Sequence, residues 1–389
     1  MNSPQALPGG SGLTALSTVQ TPSAVIDTAR MQANIDRMQS HMNSLGVRFR
    51  PHAKTTKCLP VVQAQIAAGA QGITVSTIKE AEQFFAAGIT DLLYAVGMQP
   101  GKLSQALALR RKGASLQIIT DSIASANAIV DFGRAHGESF EVLIEIDADG
   151  HRSGVQPDGD VLLQVGRVLH DGGMRLLGVM AHAGSSYDCG DPESLRRITE
   201  QERRETVRAA DRLRRAGLPC PVVSIGSTPT AIAAQSLDGV TEVRAGVYVL
   251  FDLVMHNVGV CGLQDIALSV LTTVIGHQNE KGWAIVDAGW MAMSRDRGTQ
   301  KQKHDFGYGQ VCTEEGVPIT GYVISGANQE HGIVSRASGI DTKIADRFPL
   351  GTRLRVLPNH ACATGAQHPQ YEAVLANGEV ETWPRFYGW

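Results

Sequence analysis

The chain has 389 residues, 43% of them hydrophobic and 19% charged, with a formal net charge of −3. That balance belongs to a soluble globular protein able to bury a large core, and it excludes intrinsic disorder as the main state. At about 150 residues per domain the length suggests two domains, and no basic field points to nucleic acid or an anionic membrane.

Residues 1–20 are rich in Gly, Ser and Pro and are expected to form a flexible arm, with a contribution to a later β-domain open to it. They lack a charged stretch followed by an apolar one, so no signal peptide is expected. From residue 21 to about 252, short apolar runs alternate with amphipathic stretches. The runs are 47–50, 72–75, 92–96, 116–119, 141–146, 177–182, 222–225 and 242–244; the helical stretches include 28–45, 78–87, 101–112, 122–136 and 192–216. Several helices should stop at a left-handed glycine: Gly46, Gly88, Gly113 and Gly217. Eight strand–helix alternations are the count of a (β/α)8 TIM-type barrel, expected over 21–262. A doubly wound sheet is the alternative, but its GxGxxG fingerprint is missing.

Beyond residue 262 the rhythm changes. The stretches 267–277, 282–287, 318–325, 353–357, 371–375 and 379–383 read as strands, with hairpin turns at 279–282 and 376–379. This is an appended β-domain, 263–389. The longest apolar runs, such as 267–275, reach about half of what a membrane span needs. Six cysteines (58, 189, 220, 261, 312 and 362) show no CxxC pairing. They read as reduced thiols, the state of a cytoplasmic protein.

Three segments could carry chemistry. Arg50–Pro51–His52–Ala53–Lys54–Thr55–Thr56–Lys57 lies at the C-terminal end of the first barrel strand, the face where such barrels place their sites. A lysine in that desolvated mouth, near Arg50 and His52, is a candidate Schiff-base nucleophile; two ordinary surface lysines are the alternative. Ser224–Ile225–Gly226–Ser227–Thr228–Pro229–Thr230 and Arg244–Ala245–Gly246–Val247–Tyr248 follow the seventh and eighth strands, where this barrel recurrently binds phosphate. Small residues there let backbone N–H groups approach an anion. In Pro358–Asn359–His360–Ala361–Cys362–Ala363–Thr364, extended chain would point His360 and Cys362 to one face, where they could share a metal. Two protein ligands leave positions for water and substrate; a half-buried histidine beside a buried thiol is the other reading. Arg152 after the fifth strand, His182 and Tyr187 after the sixth, and the loop 326–332 are each either site elements or ordinary polar turns.

Together these segments resemble the fold-type III pyridoxal-phosphate enzymes, in the branch of D-threonine aldolase and eukaryotic-type D-serine dehydratase (an alanine racemase-like fold). The shared pattern is P-H-x-K-[TS]-x-K, a Gly/Ser/Thr phosphate loop, and H-x-C or H-x-D near the C-terminus, spanning 21–389. Stretches such as EIDADGHRSGV, VVSIGSTPTA, TEVRAGVYV and LPNHACATGAQ carry it at close range. The resemblance implies that Lys54 holds pyridoxal 5'-phosphate as a Schiff base, with Lys57 a charge behind it. It implies that Gly226, Ser227 and Thr228, with Gly246 and the Val247 or Tyr248 backbone, cradle the phosphate. It sets His182 against the pyridine ring, and matches Arg152 to the arginine of a DxGxxRxG segment. His360 and Cys362 become the pair for one divalent metal (Mg²⁺, Mn²⁺, Co²⁺ or Zn²⁺). The aldolase branch has Asp at the second position, so Cys362 points to the dehydratases; thiolate favours zinc or another transition metal, while oxygen donors of a substrate keep Mg²⁺ and Mn²⁺ open. The implied substrate is a β-hydroxy amino acid losing water, and the implied assembly is a homodimer. Retro-aldol cleavage and racemisation are the runners-up within the fold. A non-catalytic cofactor carrier is the reading from another class, and the appended β-domain argues against it.

Overall fold

The computed structural model describes residues 16–389, so most of the expected arm lies outside the described residues. They divide into two compact units: one holds the described residues up to Asn34 with Val249–Arg385, the other Ile35–Tyr248 with Phe386–Trp389. The sequence reading had put 21–262 in the barrel. At the N-terminal end the difference arises because β1 (Ser23–Asp27) joins the sheet of the other unit; at the far end the division falls after Tyr248.

Eight parallel strands form the barrel: β2 (Arg48–Phe49), β3 (Ile73–Val75), β4 (Asp91–Gly97), β5 (Ser115–Thr120), β6 (Glu141–Ile146), β7 (Arg175–Ala181), β8 (Val222–Ile225) and β9 (Glu242–Val243). They coincide with the eight expected runs. β9 lies between β8 and β2. A bridge between His52 and Thr74, with Thr74 N–H donating to the Pro51 carbonyl at 2.8 Å, joins the chain after β2 to β3 and closes the ring. Leu93, Ile119, Leu143, Leu177 and Met180 fill the interior.

The helices begin where the side chains dictate. Thr77 accepts from Glu80 N–H to cap Ile78–Ala86, Ser122 accepts from Ser125 N–H to cap Ile123–His136, and Asp191 caps Pro192–Arg215. Each such cap is worth about 1 kcal/mol over alanine. The four expected stop glycines all have positive φ. Leu59–Ala67 and Asp160–Asp171 supply two further helices of the alternation.

The other unit is built on β10 (Leu268–Gln278), β11 (Trp283–Val286), β12 (Gln310–Thr313), β13 (Pro318–Ala327), β14 (Gly332–Arg336), β15 (Arg353–Leu357), β16 (Gln370–Val374) and β17 (Val380–Pro384). β10 pairs with β15, with β1 along its first half and with β11 along its second. The order β10-β11-β14-β13-β12-β15 therefore returns to β10 as an antiparallel barrel, and β1-β16-β17 extend from it. Both expected hairpin turns join neighbouring antiparallel strands. Val274, Val286, Val311, Ile324, Phe348 and Val356 are among its buried core, each such side chain stabilising by about 1.5–3 kcal/mol. Leu16 packs against Val25 and Leu271, and the carbonyls of Leu16 and Val19 accept from Arg353. Leu16 and Val19 are thus tied to this unit, while Ser17, Thr18 and Gln20 are exposed.

Candidate active site

A column of charge runs inside the parallel barrel. Arg50 donates to Glu242 and Asp91, each at 2.8 Å. Glu242 accepts from Ser224 Oγ at 2.8 Å, and Ser224 Oγ accepts from Arg244 Nε at 2.9 Å. Arg244 also donates to the Ala181 carbonyl. Asp91 opens β4 at the barrel's N-terminal end, so Arg50 points away from the mouth. The crowding of Lys54 expected from Arg50 comes instead from His52 and His182, whose protonation the Lys54 and Arg244 charges oppose.

Lys54 sits in a short turn of helix, Ala53–Thr55, with His52 as its cap: the ring Nδ1 accepts from Lys54 N–H at 3.4 Å. Burial, then the charges of Lys54, Arg244 and His182, keep His52 well below its usual value. His182 Nδ1–H donates to the Gly226 carbonyl, 3.0 Å away. Burial and the charges of Lys54, Arg244 and Arg152 hold it down to about 4. The Tyr187 ring lies 6.1 Å from it. Arg152 is exposed, its guanidinium 3.6 Å from Glu145. Burial and the charges of Lys54 and Arg244 thus disfavour protonation of both imidazoles.

The loop after β8 needs glycine at 226. Its φ is +133°, and a Cβ there would stand 2.1 Å from the Arg244 carbonyl oxygen. Glu202 fastens this loop to the one after β7: its carboxylate accepts from Ala183 N–H at 2.8 Å and Gly226 N–H at 3.1 Å. Burial raises the pKa of this carboxyl. Ser227 N–H donates to Thr230 Oγ1, and Ser227 Oγ lies 2.8 Å from Ser186 Oγ. Tyr248 N–H donates to Thr228 Oγ1 at 3.1 Å. Several donors expected to face a phosphate are thus used within the fold, which narrows the backbone candidates to Thr228, Gly246 and Val247. Tyr248 itself is core: its hydroxyl accepts from Gln65 at 2.8 Å and its ring packs on Phe49.

Lys57, three residues after Lys54, is paired within the same unit. Its ammonium lies 3.0 Å from the buried Glu80 carboxylate, and its carbonyl accepts from Phe386 N–H at 2.7 Å. Its charge is answered locally. Thr74 Oγ1 in the barrel has no hydrogen-bond partner.

In the antiparallel unit, His360 precedes the short helix Ala361–Gly365 and is brought against Cys362. Its Nδ1 lies 2.6 Å from Asp296 Oδ2. Burial opposes its protonation, but the hydrogen bonds of Asp296 and Cys362 and the charges of Cys362 and Asp252 outweigh this and push it up to about 11. Asp252, buried, accepts from Ala361 N–H at 2.9 Å, between the two candidate ligands. Among the described residues no set of three or more His, Cys, Asp or Glu side chains is arranged to hold a metal. The loop 326–332 is the β13–β14 hairpin turn, where Asn328 N–H donates to the His331 carbonyl at 2.8 Å. Glu202 and Asp296 are not legible as site residues in the sequence, because their roles exist only in the fold.

Residues 26–253 match the alanine racemase N-terminal domain, and 267–374 match a putative serine dehydratase domain. The chain belongs to the alanine racemase-type barrel family. Within it, the chain is 67% identical over 96% of its length to D-threo-3-hydroxyaspartate dehydratase from Delftia sp. (strain HT23), covering 99% of that protein. The solved structure of that enzyme superposes with a TM-score of 0.95, covering 97% of this chain and 100% of that one. D-serine dehydratase from Dictyostelium discoideum is 28% identical over 94% of this chain and 96% of its own length. D-threonine aldolase from Arthrobacter sp. is 29% identical over 94% and 92%.

Proposed function

We propose that this protein is a pyridoxal 5'-phosphate- and divalent-metal-dependent dehydratase that eliminates water from D-threo-3-hydroxyaspartate, yielding oxaloacetate and ammonia. The observation that carries elimination over its rivals is the thiol of Cys362 beside His360. The extensive identity to the Delftia enzyme supports the reading. So do a histidine-to-alanine variant of that enzyme and a metal-free cysteine-to-alanine variant, whose substituted positions are two residues apart like His360 and Cys362.

The residues present fit both groups. Lys54, Arg244 and Arg152, whose charges all bear on His182, offer positive charge to an anion at the mouth. An imidazole and a thiol suit a transition metal. When bound, the cofactor supplies an electron sink for the pair left at Cα, and the metal a Lewis acid for the departing oxygen.

In this reading Lys54 would hold the cofactor through its amine and would serve as the base for the Cα proton. His182, kept neutral with its Nδ1 against Gly226, packs on the ring without adding a charge. Arg152 reaches an anionic oxygen, and Thr228, Gly246 and Val247 supply backbone donors to the phosphate. Gly226 and Ser227 shape that loop, Tyr248 supports it from the core, and Tyr187 lines the mouth beside His182. His360 and Cys362 would hold the metal. Overall the Cα–H and Cβ–O bonds break and a Cα=Cβ bond forms, the Cα proton and the hydroxyl together making up the water released; the free enamine tautomerises and takes up water to give the 2-oxo acid and ammonia. The reading extends to a homodimer in the cytoplasm, on family likeness and on six cysteines that form no disulfide. No helix among the described residues is long and apolar enough to cross a membrane.

A substrate panel assayed for 2-oxo acid, ammonia and glycine tests this. A β-carboxylate adds a charge-assisted contact worth about 1.5–3 kcal/mol, so kcat/KM should favour threo-3-hydroxyaspartate over D-serine by roughly ten- to a hundredfold. Equal efficiency would make D-serine dehydratase the better reading; glycine and an aldehyde as products would make it an aldolase.

A further inference from the structure

The segment bearing His360 and Cys362 is gripped from beside and from below. Asp296 belongs to a loop well removed in sequence, yet its carboxylate meets His360 Nδ1 at 2.6 Å. Its backbone is fixed as well. Asp296 N–H donates to Ser294 Oγ at 3.1 Å, and the Asp296 carbonyl accepts from Asn359 Nδ2 at 3.2 Å. Asn359 immediately precedes His360 and is buried; it also donates to the Gly307 carbonyl at 2.8 Å and accepts from Thr299 Oγ1 at 3.1 Å. Ser294 holds a left-handed φ of +72° two residues before the aspartate, a conformation that costs about 1–3 kcal/mol unless its surroundings enforce it. Carboxylate and imidazole are thus pinned to one another twice, once through side chains and once through backbone.

We propose that Asp296 is a positioning residue for the metal: by accepting from Nδ1–H it fixes the His360 ring and its tautomer, so that Nε2 alone is presented as the ligand beside Cys362. The inference rests on the reading that His360 and Cys362 hold the metal. The physical reason is general. A ligating imidazole has one nitrogen for the ion, and a carboxylate on the other both orients the ring and makes the ligating nitrogen more basic. Asp252 complements this by holding the Ala361 backbone between the two ligands, leaving the ring orientation to Asp296.

The test is calorimetric titration of Zn²⁺ into the chelator-stripped full-length protein, for wild type, Asp296→Ala, Asp296→Asn, His360→Ala and Cys362→Ala. Loss of the carboxylate should raise the metal Kd by roughly ten- to a hundredfold in Asp296→Ala. The isosteric Asp296→Asn, which keeps an acceptor but no charge, should lose less. Long-range ¹H–¹⁵N spectra should show the His360 Nδ1–H tautomer in metal-loaded wild type, and a mixture in Asp296→Ala. Loss of binding in His360→Ala and Cys362→Ala with an unchanged Kd in both Asp296 variants overturns the role of Asp296 and leaves the ligand pair standing. Wild-type affinity retained in His360→Ala overturns the pair, and Asp296 with it.

Discussion

Two histidines, one in each unit, live in opposite fields. His182 at the mouth of the parallel barrel is held down to about 4 by burial and by Lys54, Arg244 and Arg152. His360 in the antiparallel unit is pushed up to about 11, because Asp296, Cys362 and Asp252 outweigh its burial. The first environment suits phosphate and carboxylate groups; the second suits a cation. The same side chain is thus tuned in opposite senses by what surrounds it, and the chemistry of each unit can be read from the sign of its surroundings.

Removing the central cation of the first environment should have the largest effect. Lys54→Ala should lower turnover by roughly 10²–10⁴-fold or more and abolish both the visible absorbance of the bound cofactor and the borohydride-reducible lysine adduct. An adduct that persists would move the assignment to Lys57, despite its partner Glu80. A smaller effect should follow from filling the cradle. Gly226→Ala puts a methyl against the Arg244 carbonyl at a φ of +133°, and should cost about 1–3 kcal/mol, read as a lower Tm and weaker cofactor retention. An unchanged Tm would mean that the loop shifts freely. The smallest effect concerns protonation. Unfolded, His182 takes a proton near 6.5, whereas the folded group resists until about 4. Its contribution to stability is therefore complete above about pH 6.5, declines as pH falls toward 4, and is gone below that. The difference in unfolding free energy between wild type and His182→Gln should shrink by on the order of 1–3 kcal/mol over that window. A difference independent of pH would show that the mouth does not disfavour the imidazolium.

The sequence carried the parallel barrel well, because strand–helix alternation is a local signal and Thr77, Ser122 and Asp191 mark helix starts directly. β1 escaped notice for the opposite reason. Ser-Ala-Val-Ile-Asp is short, stands directly before a helix, and finds partners only at residues 268–271 and 372–374. β12 and β14 were missed likewise, as short strands stabilised by neighbours rather than by their own pattern. Among site residues, Lys54, Gly226, His360 and Cys362 stand in recognisable motifs. Glu202 sits in a charge-rich helix where it reads as a solvated face, and only the fold turns it inward to hold two loops. Arg50 was misjudged because the strand places it near Lys54 in sequence, while its guanidinium follows the barrel interior to Asp91.

The membership of β1 also has a consequence in time. Ile35–Tyr248 is one uninterrupted stretch, able to assemble its eight parallel strands as soon as it has been synthesised. β1 is made first and must wait, since Val25 pairs with Ser269 and Glu372. At 5–20 residues per second the wait for Ser269 alone lasts roughly 10–50 s on the ribosome. Throughout it the Ala24–Val25–Ile26 core has neither its β10 nor its β16 neighbour, so this stretch of the nascent chain is where a chaperone would find an apolar strand to hold.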